Sequence, residues 1–103
     1  MPRKVIIGKL PVDVEIYTSP FCPFSENAEK LVREVSKKFG KKVNIKKIDI
    51  TKKTGQKLAR NLGIISTPTI MVERDVRFTG IPRKMFLESA IKHVLKEVKK
   101  TKM

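Results

Sequence analysis

Cys22 is the single cysteine of the chain, in the run Tyr17-Thr18-Ser19-Pro20-Phe21-Cys22-Pro23-Phe24-Ser25. Its spacing is that of a Cys-x-x-Cys redox motif with serine at the second place. The chemistry this suggests is thiol–disulfide exchange, in which a thiolate attacks a disulfide sulfur. Ser25 restricts that chemistry. Its hydroxyl can donate a hydrogen bond to the Cys22 sulfur but cannot attack a mixed disulfide. A lone cysteine is often only a small buried apolar side chain. A core cysteine would join an apolar stripe, however, and Cys22 lies between Pro20 and Pro23.

The elements around the thiol give a reason for reactivity. Val12-Asp13-Val14-Glu15-Ile16-Tyr17 alternates apolar and polar, a strand pattern, and Ser19-Pro20 ends it. From Pro23 to Phe39, Ala28, Leu31, Val32, Val35 and Phe39 recur at helical spacing, with Gly40 placed to stop the helix. With Cys22 as N-cap, Pro23 takes the first helical position and the amides of Phe24 and Ser25 point back at the sulfur. Orphan amides and the helix dipole favour an anion there. The thiol is therefore expected to ionise below the free value of about 8.5. Phe21 and Phe24 serve either as an apolar contact surface for a substrate or as packing over the sheet.

Further along, Val43 to Ile50 reads as a strand whose apolar residues change parity between Ile45 and Ile48. That implies burial on both faces or an irregularity at Lys46-Lys47. A short helix from Thr54 to Leu62 ends at Gly63. Thr69 to Glu73 and Val76 to Thr79 read as two strands about a turn at Arg74-Asp75. Pro82 opens a last helix whose stripe is Leu87, Ala90, Ile91, Val94, Leu95 and Val98. Lys4 to Leu10 is a candidate extra edge strand.

Composition sets the outer bounds. A chain of 103 residues with 40% hydrophobic residues is enough for one compact domain, 1–103. No apolar run nears the roughly 20 residues that span a bilayer. Val5-Ile6-Ile7 is too short for a signal-peptide core. With one cysteine, a disulfide framework is excluded and a reducing, cytoplasmic location is expected. The formal net charge is +14. Such a field attracts nonspecific anionic partners, although the lysines and arginines look spread along the chain rather than clustered. His93, the only histidine, has no evident co-ligands. Asp49 is either a buried proton acceptor behind the thiol or, the preferred reading, a strand-end acid bonded to the next helix start near Thr51. No metal and no cofactor are expected.

Cys22-Pro23-Phe24-Ser25 together with Ser66-Thr67-Pro68-Thr69 resembles the thioredoxin/glutaredoxin superfamily, closest to its small archaeal glutaredoxin-like thioredoxins. The resemblance covers nearly all of the chain after residue 11. It implies an α/β thioredoxin-like fold, a central mixed four-stranded sheet flanked by three helices. It implies Cys22 as nucleophile, Pro68 as a cis-proline beside it, and the Thr67 backbone as a pairing site for a bound peptide or glutathione. Phe21, Pro23 and Phe24 complete the implied substrate contacts. Two departures matter. Gly80-Ile81-Pro82-Arg83 replaces the glutathione-holding Gly-Gly-x-x-Asp-like segment. Pro23 stands where the cluster-carrying monothiol proteins have glycine, which weakens an iron–sulfur role.

The resulting expectation is a disulfide oxidoreductase, monothiol as written or a Cys-to-Ser form of a dithiol reductase. Its substrate would be a protein or small-molecule disulfide, with an external thiol or reductase as donor. The alternative is a basic binding module for nucleic acid or acidic proteins without redox activity.

Overall fold

A computed structural model describes residues 11–101, with side chains to 97. The candidate strand Lys4 to Leu10 and the side chain of Val98 lie outside the described residues. The order is β1 Val12–Thr18, α1 Ser25–Ser36, β2 Val43–Asp49, α2 Lys53–Leu62, β3 Thr69–Val72, β4 Val76–Thr79 and α3 Lys84–Thr101. The sheet order is β2-β1-β3-β4, with β2 parallel to β1, and β3 antiparallel to both β1 and β4.

β1 is central, and both of its faces are covered. Val12, Val14 and Ile16 pack with Ala28, Val32 and Val35 of α1 and Leu87, Ile91 and Val94 of α3. Each such fully buried aliphatic side chain contributes roughly 1.5–3 kcal/mol. Tyr17 faces the other way, into a smaller cluster with Ala59, Ile64 and Met71. The alternating β1 sequence suggests a solvated second face, yet Glu15 there is only 5% exposed. Its carboxylate is satisfied locally. The Tyr17 hydroxyl donates to it at 2.9 Å, and the Arg74 guanidinium forks onto both oxygens at 3.0 Å. A buried carboxylate persists when it is paired and hydrogen-bonded in this way.

The parity change in β2 has a simple origin. The register with β1 runs unbroken from Val12↔Val43 to Thr18↔Asp49. Val43 and Ile45 pack on the α1/α3 cluster, whereas Ile48 packs on the α2 cluster. The helices cover opposite faces at opposite ends of the strand. Of the two alternatives, the irregularity is absent and both faces of β2 are packed, each only partly buried.

The turn between β3 and β4 sits one residue earlier than expected. Glu73 and Arg74 have φ of 51° and 55°, and the Asp75 amide donates to the Val72 carbonyl at 2.9 Å. This left-handed pair resembles a type I′ turn built without Asn-Gly. Tertiary bonds hold it. The Glu73 amide donates to the Asp13 carbonyl at 2.8 Å, and the Asp13 amide donates to the Glu73 carboxylate at 2.6 Å.

α2 ends as expected on left-handed Gly63 (φ 68°), with the Ile64 amide bonded to the Ala59 carbonyl. α1 ends at Ser36 rather than near Gly40, which instead begins a short 3-10 turn with φ 57°. Near its start, α2 presses its backbone onto the end of β2. A Cβ on Gly55 would lie 1.9 Å from the Asp49 carbonyl oxygen.

Candidate functional site

Cys22 lies in the β1–α1 loop, and its placement corrects one expectation. The helix begins at Ser25 with Phe24 as N-cap, so Cys22 is not the cap and Pro23 is not the first helical residue. The first helical bond runs from the Ala28 amide to the Phe24 carbonyl at 3.1 Å. Ahead of it, Cys22 to Ser25 close a separate turn, the Ser25 amide donating to the Cys22 carbonyl at 3.3 Å. The last helix is displaced in the same way. It starts at Lys84 with Arg83 as its first carbonyl acceptor, and Pro82 stays outside.

Ser19 organises the loop, a role the sequence reading missed. Its carbonyl accepts the Cys22 amide at 3.0 Å and its hydroxyl accepts the Phe21 amide at 3.1 Å. The Ser19 amide donates to the Ser25 hydroxyl oxygen at 3.3 Å. The available signal was a serine followed by proline at a strand end, a frequent turn starter.

The opposite wall is the α2–β3 loop. The Thr67–Pro68 peptide bond is cis. The Cys22 thiol donates to the Thr67 carbonyl at 3.3 Å. The Gly80 amide donates to the Pro68 carbonyl at 2.8 Å and the Thr69 hydroxyl to the Ser66 carbonyl at 2.7 Å, so neighbouring groups fix this loop. Cys22, Ser25, Thr67 and Pro68 are thus brought together. Phe21 and Phe24 do not pack over the sheet, being 86% and 58% exposed. Ile65, two residues before Thr67, is 97% exposed.

The surroundings hold the Cys22 thiol below its ordinary pKa. The Thr67 side chain contributes most and the Ser25 side chain next, partial burial opposes them, and the amides of Phe24 and Ser25 add further support. The carbonyl contact of Thr67 favours the protonated thiol, whereas the hydroxyl and amide donors favour the thiolate. The net effect is a lowered pKa. The Ser25 hydroxyl fits both of its bonds, since it accepts from Ser19 and keeps its own proton for the sulfur.

Asp49 takes the preferred place. Its carboxylate accepts the Thr51 amide at 2.8 Å and the Thr51 hydroxyl at 2.6 Å, which hold it below its ordinary value. His93 is exposed on α3, and among the described residues no cluster of three or more potential metal ligands is found. No helix among them is long and apolar enough to cross a membrane.

Element order, mixed sheet and a cysteine facing a cis-proline define a thioredoxin-type domain. Comparison with known proteins agrees. Residues 12–92 match the Thioredoxin domain family model. A probable thioredoxin of Methanothermobacter thermautotrophicus is 38% identical over 80 residues, spanning 78% of this chain and 92% of that protein. A thioredoxin of Methanocaldococcus jannaschii is 38% identical over 81 residues, spanning 79% and 93%. Among solved structures, a thioredoxin-like protein from Clostridium perfringens superposes with a TM-score of 0.73 at 20% identity, covering 84% of this chain and 73% of that one. Thioredoxin-2 of a malaria parasite gives 0.71 at 24% identity, covering 82% and 84%. The chain belongs to the thioredoxin domain family. Thiol–disulfide oxidoreduction, with disulfide substrates and reductase donors, is the general activity of that family.

Proposed function

We propose that the chain is a monothiol thiol–disulfide oxidoreductase that works through Cys22. The observation that carries this reading is the partly buried Cys22 with its sulfur set against Thr67 and donors that favour its thiolate. The Cys22 thiolate attacks one sulfur of a substrate disulfide. The S–S bond breaks, its electron pair leaves on the other sulfur, and that thiolate takes a proton from water. Cys22 is left in a mixed disulfide, which Ser25 cannot resolve. An external thiolate attacks the Cys22 sulfur and releases the substrate as a second thiol. A second external thiol then frees Cys22, so two external thiols become one disulfide while one substrate disulfide becomes two thiols. Phe21, Pro23 and Phe24 offer the substrate an apolar contact beside the sulfur, and the Thr67 backbone before Pro68 offers it a pairing edge.

The test is the pH dependence of Cys22 alkylation by iodoacetamide, coupled to mass spectrometry of the adduct with a model disulfide. A rate midpoint below about 8.5 and a stable mixed disulfide are expected. A midpoint at or above that value, or no adduct, sinks the reading. Ser25→Cys distinguishes a natural monothiol protein from a dithiol parent. A gain in disulfide reduction by that variant favours the dithiol parent, and no gain favours the monothiol.

A further inference from the structure

One helix carries a run of basic side chains with no acid among them. From residue 50 to 72 there is no acidic side chain, while Lys52, Lys53, Lys57 and Arg60 are all exposed. Lys53, Lys57 and Arg60 follow i, i+4, i+7 spacing on α2, within about 60° of arc on the helix surface. α1 and α3 differ, because their acids pair with bases: Glu29 with Arg33 and Lys47, Glu34 with Lys84, Glu88 with Lys38. Among the described residues no ion pair reaches the α2 stripe. Its Arg60 end opens on a groove of about 440 Å³, lined in part by Ile50, Arg60, Ile64 and Ile65. One of its lining residues, Ile65, stands two positions before Thr67 in the chain, and the Thr67 carbonyl touches the Cys22 sulfur.

We infer that the α2 stripe and this groove bind an acidic segment of the disulfide-bearing protein on which Cys22 acts. The groove takes an apolar side chain next to the disulfide, and Arg60, Lys57 and Lys53 take carboxylates further along. This rests on the exchange reading for Cys22. An acidic protein fits better than nucleic acid because the stripe runs into a groove lined by Ile50, Ile64 and Ile65, on the loop that leads to Thr67, and an apolar lining suits a polypeptide side chain. Unpaired cations along an approach path raise association rates by about 10-fold or more at low salt.

The test uses peptides whose cysteine is disulfide-linked to thionitrobenzoate and flanked by the same leucine, one with an aspartate-rich tail and one with a serine-rich tail. The full chain should release thionitrobenzoate about 10-fold faster from the acidic peptide at low salt. The difference should close as salt shortens the Debye length below about 8 Å. The variant K53Q/K57Q/R60Q should lose the preference for the acidic peptide, whereas K30Q/K37Q/K41Q, equal in charge change, should keep it. Retention by the α2 variant, or equal loss in both variants, overturns the inference, the latter assigning the effect to net charge alone. A failure of the exchange reading is separable, because it abolishes release from both peptides. The stripe is then read by fluorescence anisotropy of a thiol-free acidic peptide on the Cys22→Ser protein. If that peptide fails to bind while a single-stranded oligonucleotide binds in an α2-dependent way, the stripe is a nucleic-acid site and the inference is wrong.

Discussion

Tyr17 is the only tyrosine and the chain has no tryptophan, so the ultraviolet phenolate band titrates a single group. The side chain is fully buried, and its hydroxyl donates to the Glu15 carboxylate. Burial first, then the bond to Glu15 and its charge, push the pKa from 10.0 up to about 12, against a smaller opposing effect of Arg74. At pH 11 the folded protein should then be about one-tenth ionised, whereas the unfolded chain, titrating near 10, should be about nine-tenths ionised. The shift from 10.0 to about 12 corresponds to stability of the order of 3 kcal/mol. Because the folded value is the raised one, that stability is fully present below pH 10 and is lost as pH rises through about 12. Urea unfolding of wild type and Tyr17→Phe across this window isolates the contribution, since lysine titration is common to both. Wild type should lose stability relative to the phenylalanine variant. Glu15→Gln should lower the phenolate midpoint yet leave it above 10, because burial is the largest cause. A folded-state midpoint near 10, or parallel stability losses in wild type and Tyr17→Phe, would refute the reasoning.

Three other outcomes are expected. Gly55→Ala should destabilise by about 1–3 kcal/mol, measured by urea unfolding, since the new Cβ meets the Asp49 carbonyl; that overpacking cost exceeds the helix-propensity gain of about 1 kcal/mol. Arg74→Met should cost about 2 kcal/mol, less than the roughly 3–5 of a fully buried pair because Arg74 is 38% exposed, and adding Glu15→Leu should recover part of the loss. Thr67→Val and Ser25→Ala should each raise the pH midpoint of Cys22 alkylation, Thr67→Val by more; an unchanged midpoint in both would remove these side chains as the cause.

Much of the fold was legible because strong local signals agreed with the tertiary structure. The apolar period of α1 and the glycine that ends α2 each have one physical reading, and the structure follows them, whereas the alternation in β1 marks a strand but not the burial of its second face. The misses fall where long-range contacts decide. Asp13 and Glu15 hold Glu73 and Arg74 in left-handed backbone that neither residue prefers, so no turn dipeptide marked the place. Nothing local in the sequence tells a solvated Glu15 from one buried under Arg74 fifty-nine residues away. Gly55 reads as a weak helix residue until the end of β2 is seen against it. At the candidate site, the motif residues were legible, and the start of α1 was not, since Cys22 to Ser25 form a turn of their own. Ser19 and Ile65 went unnoticed because their roles depend on which loops meet. The basic stripe was legible in part, since residues 50–72 carry no acid, but the groove at its Arg60 end depends on how the α2–β3 loop packs.

The two outer strands of the sheet carry a further consequence. Among the described residues, β2 and β4 each have one side without a neighbouring strand. An open backbone edge is a template on which a second chain can add its own strand and begin to aggregate. β4 is only four residues long and carries exposed Arg77, while Lys46 and Lys47 project from β2 with Lys41 and Lys42 just ahead of it. Lys46 and Lys47 are partnered within the molecule by Asp13 and Glu29, so Lys41 and Lys42 are the charges that meet their like when two copies approach along β2. Part of the lysine excess behind the +14 charge therefore guards one border of the sheet, disfavouring edge-to-edge pairing most at low ionic strength.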